Sequence, residues 1–282
     1  MLRKVRFFKY HGAGNDFILI DNRDLTFPKD QETVRKFCQR CFGVGANGLI
    51  LIESHAELDF KMVYFNSNGL ESTMCGNGGR CAVAFAWVDL KLFAGAKCAF
   101  AAIDGDHSSE VLPTEAGCEV KLKMIDVSHR TVEVDHFSGT YVMNTGSPHY
   151  VIFAEDAHEI DLDDVGGQIC FSERFRQDGG INVNVAQRLS DRRLLVRTFE
   201  RGVDGETLSC GTGATAAALS YALSQTHLDE AYSRTQKNGG MTVTTKGGEL
   251  EITWNYDADQ NTFTDVWLRG PAEKVFEGVM EI

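Results

Sequence analysis

Short runs of apolar, β-branched and aromatic residues punctuate the chain at Phe17–Ile20, Leu49–Ile52, Phe60–Phe65 and Leu194–Phe199. Their length and composition predict strands. Thr242–Trp254, interrupted by Gly247-Gly248, predicts further strands joined by a glycine turn. Two stretches have a different character. Arg80–Phe93 and Ala214–Ser224 are too long for strands and rich in alanine, so they predict helices. Both are apolar or small nearly all round, which marks a helix buried on every side. The pattern is α+β, with strands wrapped around a central helix.

The pattern also occurs twice. Met74-Cys75-Gly76-Asn77-Gly78-Gly79-Arg80-Cys81 resembles Ser209-Cys210-Gly211-Thr212-Gly213-Ala214-Thr215-Ala216, with Cys75 and Cys210 135 positions apart. Phe65-Asn66 precedes the first as Phe199-Glu200 precedes the second, at an offset of 134. Val44-Gly45-Ala46-Asn47 aligns with Gly179-Gly180-Ile181-Asn182 at 135, and Gly14-Asn15-Asp16 with Gly146-Ser147-Pro148 at 132. Four matches in one order at nearly one offset indicate two copies of a unit of about 135 residues. A solenoid needs three or more short repeats, so the expectation is two similar domains related by a pseudo-twofold axis.

Composition narrows the function. At 282 residues with 43% hydrophobic and 24% charged positions the chain is ordinary globular protein. A net charge of −12 argues against an extended nucleic-acid surface. No apolar run approaches the ~18–20 residues that cross a bilayer, and Lys9 breaks the N-terminal stretch before a signal-peptide core develops. A cytoplasmic protein is expected, with neither nucleic acid nor membrane as partner. Its eight cysteines then read as thiols, mostly small buried hydrophobes.

Cys75 and Cys210 stand apart, because each ends a loop, is followed by glycines, and precedes a buried helix. Glycine lets the backbone approach a ligand. A helix N-terminus supplies N–H donors and about half a positive charge, which binds a carboxylate and favours a thiolate. Two such thiols on opposite faces of one carbon suit cofactor-free stereochemical inversion: one removes the Cα proton and the other returns a proton from the far side.

Phe65-Asn66, Met74-Cys75-Gly76-Asn77-Gly78, Phe199-Glu200-Arg201-Gly202 and Cys210-Gly211-Thr212-Gly213 resemble the diaminopimelate epimerase family, as do His11-Gly12-Ala13-Gly14-Asn15-Asp16-Phe17 and Gly146-Ser147-Pro148-His149. The resemblance spans nearly the whole chain. It implies two pseudo-symmetric domains, each a mostly antiparallel, barrel-like sheet around its central helix, with the active site in the cleft between them. The boundaries would be 1–125, to which 270–282 return, and 126–269. The resemblance further implies an isomerase, acting as a homodimer on LL- and meso-diaminopimelate in lysine and peptidoglycan precursor biosynthesis. Cys75 and Cys210 would be the acid/base thiols, tuned by His149 and Glu200. Asn15, Asn66, Asn182, Glu200 and Arg201 would hold the substrate's charged ends, and the backbone of Gly76-Asn77 and Gly211-Thr212 would cradle the reacting carboxylate. Arg201 suits a bidentate carboxylate grip and Glu200 an ammonium. Two positions depart from the family pattern: Gly48, where glutamine is common, and Ser147, where asparagine is common.

Two other readings compete. A proline, hydroxyproline or other amino-acid racemase would share the architecture, but Asn77 and the Glu200-Arg201 pair favour a substrate with two charged ends. A thiol-redox protein could use Cys38-Gln39-Arg40-Cys41, yet this CxxC lies in a helical-looking stretch without a βαβ context. No metal, nucleotide or other cofactor motif is present, and none is expected.

Overall fold

The computed structural model describes residues 3–115, 117–135, 139–228 and 238–282. The chain divides into two compact units, Met1–Leu122 with Gly270–Ile282, and Lys123–Arg269.

In the first unit the elements run β1 (Lys4–Gly12), β2 (Asn15–Asp21), α1 (Gln31–Cys38), β3 (Gly48–Glu53), β4 (Phe60–Asn66), α2 (Gly76–Val88), β5 (Lys97–Ala102), β6 (Gly105–Thr114) and β7 (Gly117–Lys123). In the second they run β8 (Val127–Ser128), β9 (Glu133–Asp135), β10 (Thr140–Asn144), β11 (Pro148–Phe153), α3 (Leu162–Cys170), β12 (Asn182–Ser190), β13 (Arg193–Glu200), β14 (Gly205–Thr207), α4 (Gly211–Leu228), β15 (Asn238–Thr245), β16 (Gly248–Asp257) and β17 (Thr262–Pro271). The last strand, β18 (Glu273–Glu281), returns to the first unit and pairs antiparallel with β1.

The duplication is visible in the pairing. β1–β2 is antiparallel, β2–β3 parallel across α1, β3–β4 antiparallel, and β4–β5 parallel across α2. The second unit repeats this with β10–β11 antiparallel, β11–β12 parallel across α3, β12–β13 antiparallel, and β13–β15 parallel across α4. Most remaining pairs are antiparallel hairpins, so the sheets are mixed but mainly antiparallel. α2 touches strands from β18 through β6, and α4 touches strands from β10 through β16. Each sheet therefore curls around its helix.

The strands in between are buried on both faces, which explains their continuous apolar runs. Phe17, Leu19, Ile50 and Ile52 face α2, while Ile18, Ile20, Leu49 and Leu51 pack with Val34 and Phe37 of α1. In the second unit Val183, Val185 and Phe199 pack on α3 with Leu162 and Cys170.

Two details correct the sequence reading. The central helices begin at Gly76 and Gly211, four and three residues earlier than expected, and α2 ends at Val88 rather than Phe93. The glycines are the first helical turn and not a preceding loop, and at Gly79 and Gly213 close neighbours leave no room for a side chain. A Cβ on Gly79 would lie 2.9 Å from Met74 Sδ, and one on Gly213 2.3 Å from Asn184 Oδ1. The alignment of Asn47 with Asn182 is also one residue out. Phe65 pairs with Leu49 as Phe199 pairs with Val183, so the backbone equivalent of Asn182 is Gly48.

Candidate active site

The first unit gathers Asn15, Asn66 and Cys75. The β1–β2 hairpin turns on Ala13 and Gly14, both at positive φ, a two-residue turn matched to strand twist. This brings Asn15 to the start of β2, where its Nδ2 donates to Cys75 Sγ at 3.9 Å while its Oδ1 accepts from Asn47 Nδ2 at 2.9 Å. Asp16 anchors the same corner through Lys9 and Arg40, each at 2.7 Å. Burial raises its pKa, but the hydrogen bonds from Arg40 and Lys9 win and hold the carboxyl below the usual range.

Cys75 caps α2, and its carbonyl accepts from Gly79 N–H at 2.7 Å. An α-helix leaves its first N–H groups without partners inside the helix, so Gly76 and Asn77 present backbone donors beside the thiol. The Asn77 side chain is turned inward, its Oδ1 accepting from Arg80 Nη2 at 2.9 Å. Arg80 is wholly buried and also donates to the Pro271 carbonyl at 3.3 Å. Burial lowers its pKa, opposed by Cys81 and Cys75. The sequence reading passed over Arg80, although it is the lone charge in an otherwise small and apolar helix.

Asn66 closes β4, and its Oδ1 accepts from Tyr64 Oη at 2.7 Å. The Tyr64 ring also accounts for Gly48, since a Cβ there would lie 2.5 Å from Tyr64 Cε2. The space that a longer residue 48 would fill holds the tyrosine.

The second unit gathers His149, Asn182, Glu200, Arg201, Cys210, Gly211 and Thr212. Cys210 precedes α4, and its carbonyl accepts from Ala214 N–H at 2.9 Å, as in the first copy. Its Sγ lies 3.4 Å from Thr212 Oγ1, and the thiol is also hydrogen-bonded to the Glu200 carboxylate. Glu200 accepts from Thr207 Oγ1 at 2.5 Å. Burial raises its pKa, more than Thr207 and Cys210 lower it. His149 connects to Cys210 through Thr212, with Nε2 at 2.8 Å from Thr212 Oγ1. Burial, and then the positive Arg201, push its pKa down to about 3.

Asn182 donates to Ser147 Oγ at 2.9 Å and accepts from Arg201 N–H at 3.1 Å, so the serine at 147 serves as its acceptor. Arg201 Nη1 donates to the carbonyls of Gly180 (3.1 Å) and Asp178 (3.3 Å), which aims the guanidinium without consuming its charge. Gly180 itself is tightly placed, at positive φ and with the position of a Cβ 2.8 Å from Cys170 Sγ.

The other cysteines behave as core or surface. Burial pushes Cys38 and Cys98 up to about 12 and Cys118 to about 11, and raises Cys81 and Cys170 too. A buried thiol with a raised pKa is a poor nucleophile. Within the CxxC, Cys38 is the buried last residue of α1 while Cys41 is exposed at positive φ, which splits the motif between core and surface. Among the described residues no three His, Cys, Asp or Glu side chains gather as metal ligands, and no helix is long and apolar enough to cross a membrane.

Comparison with known proteins fixes the family. The diaminopimelate epimerase family model matches residues 7–124 and 141–275. The chain belongs to the diaminopimelate epimerase family. It is 43% identical to the diaminopimelate epimerase of Flavobacterium psychrophilum, over 97% of this chain and 99% of that protein. With the enzyme of the same name from Aquifex aeolicus it shares 39% identity, over 97% of each chain. The family is one of isomerases. Its fold recurs at low identity in a Bacillus anthracis phenazine biosynthesis protein of the PhzF family (TM-score 0.75, 15% identity, 99% of this chain and 100% of that one). An Agrobacterium vitis hydroxyproline epimerase with bound trans-4-hydroxy-L-proline is similar in fold (TM-score 0.69, 12% identity, 99% and 93%).

Proposed function

We propose that this family member interconverts LL- and meso-diaminopimelate by exchanging the Cα proton between Cys75 and Cys210, without a cofactor, in the formation of lysine and peptidoglycan precursors. The observation that carries the reading is the repeated device: in each unit a cysteine stands immediately before the N-terminus of the buried central helix, at the same place in the topology. The relatives' shared name supplies the substrate.

In the forward step one cysteine thiolate takes the Cα proton, and the C–H electron pair passes into the carboxylate as an enediolate-like anion. The other thiol gives its proton to the opposite face, so thiol and thiolate exchange places. Proton transfer by a positioned group supplies ~10²–10⁴-fold. Donors aimed at the developing charge add ~10²–10³-fold each, and the first N–H groups of α2 and α4 are the candidates. Glu200 would take up the Cys210 proton, a role supported by its hydrogen bond with the thiol and by the burial that raises its carboxyl toward proton acceptance. Arg201 offers the substrate's distal carboxylate a fork, while Asn15, Asn66 and Asn182 offer amides. The enzyme would act in the reducing cytoplasm, where both thiols persist, as a homodimer.

Incubation in D₂O tests it. Deuterium should enter Cα of diaminopimelate and not of proline; exchange into proline alone would overturn the substrate assignment.

A further inference from the structure

The two copies differ where their helices begin. In the first, α2 starts over an apolar floor: a Cβ on Gly78 would lie 3.2 Å from Ile50 Cδ1 and 3.4 Å from the Phe17 ring, and Phe17 packs edge-on to Tyr64. The ladders put His149, Asn184 and Thr198 at the corresponding positions of the second copy, since Ile50 pairs with Tyr64 as Asn184 pairs with Thr198. Phe17 pairs with Gly48 as His149 pairs with Asn182. A Cβ on Gly213, the counterpart of Gly78, would meet Asn184 Oδ1 and then Thr198 Oγ1. A mainly apolar floor of rings and Ile50 in one copy is thus a buried polar trio in the other.

The polar trio has a direction. Asn184 Oδ1 accepts from Thr198 Oγ1 at 2.9 Å, and Nδ2 donates to the Tyr150 carbonyl at 3.2 Å. A backbone carbonyl can only accept, so the amide orientation is set. The same Nδ2 is 3.1 Å from His149 Nδ1, which must then be the unprotonated ring nitrogen. Nε2 carries the proton and donates to Thr212 Oγ1. Thr212, its lone pair taken, has its hydroxyl proton left for Cys210 Sγ.

We infer that Asn184 and Thr198 are positioning residues: they fix the His149 ring with its proton on Nε2, and so commit the Thr212 hydroxyl as a donor to Cys210. Such a donor favours the thiolate, and a proton leaving Cys210 has Glu200 as its acceptor. The ionisable groups acting on this cluster are Glu200 and Arg201 at the end of β13 and His149 on β11. The catalytic meaning rests on the proposed role of Cys210, but the arrangement itself is testable without turnover.

The test reads the pH dependence of iodoacetamide alkylation at Cys210, resolved by peptide mass spectrometry, in the full chain carrying C75S. Asn184→Asp is isosteric but accepts where the amide donates. It should move the His149 proton to Nδ1, visible in the ¹⁵N spectrum of labelled histidine, and draw the Thr212 hydroxyl to Nε2. The alkylation midpoint should rise by about one pH unit, a tenfold loss of thiolate at fixed pH. Thr212→Val should raise it equally, and the double variant should add nothing. An additive double variant would mean a through-space charge effect and overturn the inference, as would an unmoved midpoint in T212V or His149 keeping its Nε2 proton in N184D. Should N184D not fold, Thr198→Val frees the amide to turn and is read the same way; no shift there overturns it. Failure of the proposed function would show separately, as absent Cα exchange in the unaltered enzyme.

Discussion

His149 on β11 holds the position that Phe17 holds on β2: each pairs across a parallel ladder with the first residue of the next strand and lies beneath the start of its central helix. The duplicated fold therefore has a built-in comparison. At equal backbone positions one copy spends its floor on packing and the other on hydrogen bonding. Cys75 is met by Asn15 at 3.9 Å, whereas Cys210 is met by a hydroxyl and a carboxylate. The two thiols share a scaffold and differ in these neighbours.

Stability should fall in mild acid because of His149. The ring is fully buried and its pKa is pushed down to about 3, while an unfolded histidine titrates near ~6.5. Between these values the unfolded chain binds the extra proton, so stability is complete above about pH 6.5 and is lost as pH falls toward 3. The slope from this group is about 1.4 kcal/mol per pH unit. Urea midpoints from pH 7 to pH 4 should show the decline, and H149Q should flatten it. A wild-type midpoint independent of pH across that window would contradict a buried neutral ring.

Each thiol should be indispensable. Cys75→Ala and Cys210→Ala should each lower epimerisation by at least the ~10²–10⁴-fold of one proton-transfer group, with circular dichroism unchanged. A cysteine that is one of a pair cannot be spared, because the product hand requires a proton from the opposite face. Substantial turnover by either variant would dismiss the two-thiol scheme.

Much of this was legible in the chain, and the parts that were not share a cause. The runs Phe17–Ile20 and Leu49–Ile52 announce strands because both faces are buried, and the repeat announces two units. Glycines in Cys-Gly-Asn-Gly-Gly read as a loop, since local propensity disfavours them in helices. What places them in a first helical turn is the space left by Met74, Ile50 and Asn184, which no local rule contains. α3 was hidden by Gly166-Gly167 and its acidic first turn. Asn184 and Thr198 are polar residues inside strands, yet they face the start of a helix. Reading the copies against each other, Ile50 against Asn184 and Tyr64 against Thr198, would have exposed them. The one-residue error at Asn47 has its own logic. Its amide donates to Asn15 as that of Asn182 donates to Ser147, so the side-chain roles align although the ladder positions do not.

Arg80 should be structural support for the first helix start. Its buried guanidinium donates to Asn77 Oδ1, and also to the carbonyls of Pro271 and Gly76. Arg80→Met keeps much of the volume but takes this donor from Asn77 Oδ1, on a buried side chain, at about 1–3 kcal/mol. The denaturant midpoint should drop accordingly. A variant as stable as the parent would show that the charge is replaceable by packing, as happens for some buried ionic groups.

Gly78 and Gly213 hold equivalent places in the two helices and meet different neighbours. Gly78→Ala places its methyl 3.2 Å from Ile50 Cδ1, the movable end of an aliphatic chain, so a small rotamer adjustment accommodates it. Alanine is also favoured over glycine in a helix by about 1 kcal/mol, and G78A should lie close to the parent in thermal midpoint. Gly213→Ala places the same methyl 2.3 Å from Asn184 Oδ1, an atom held by Thr198 on one side while its own amide nitrogen is held by Tyr150 and His149. That clash cannot be relieved without breaking a buried hydrogen bond or shifting the helix. The cost should reach about 1–3 kcal/mol for overpacking, with a lower melting temperature by calorimetry and a large fall in kcat, since the Thr212–Cys210 contact moves with the turn. Equal tolerance of the two substitutions would mean that Asn184 yields freely, and the rigid polar floor beneath α4 would have to be abandoned.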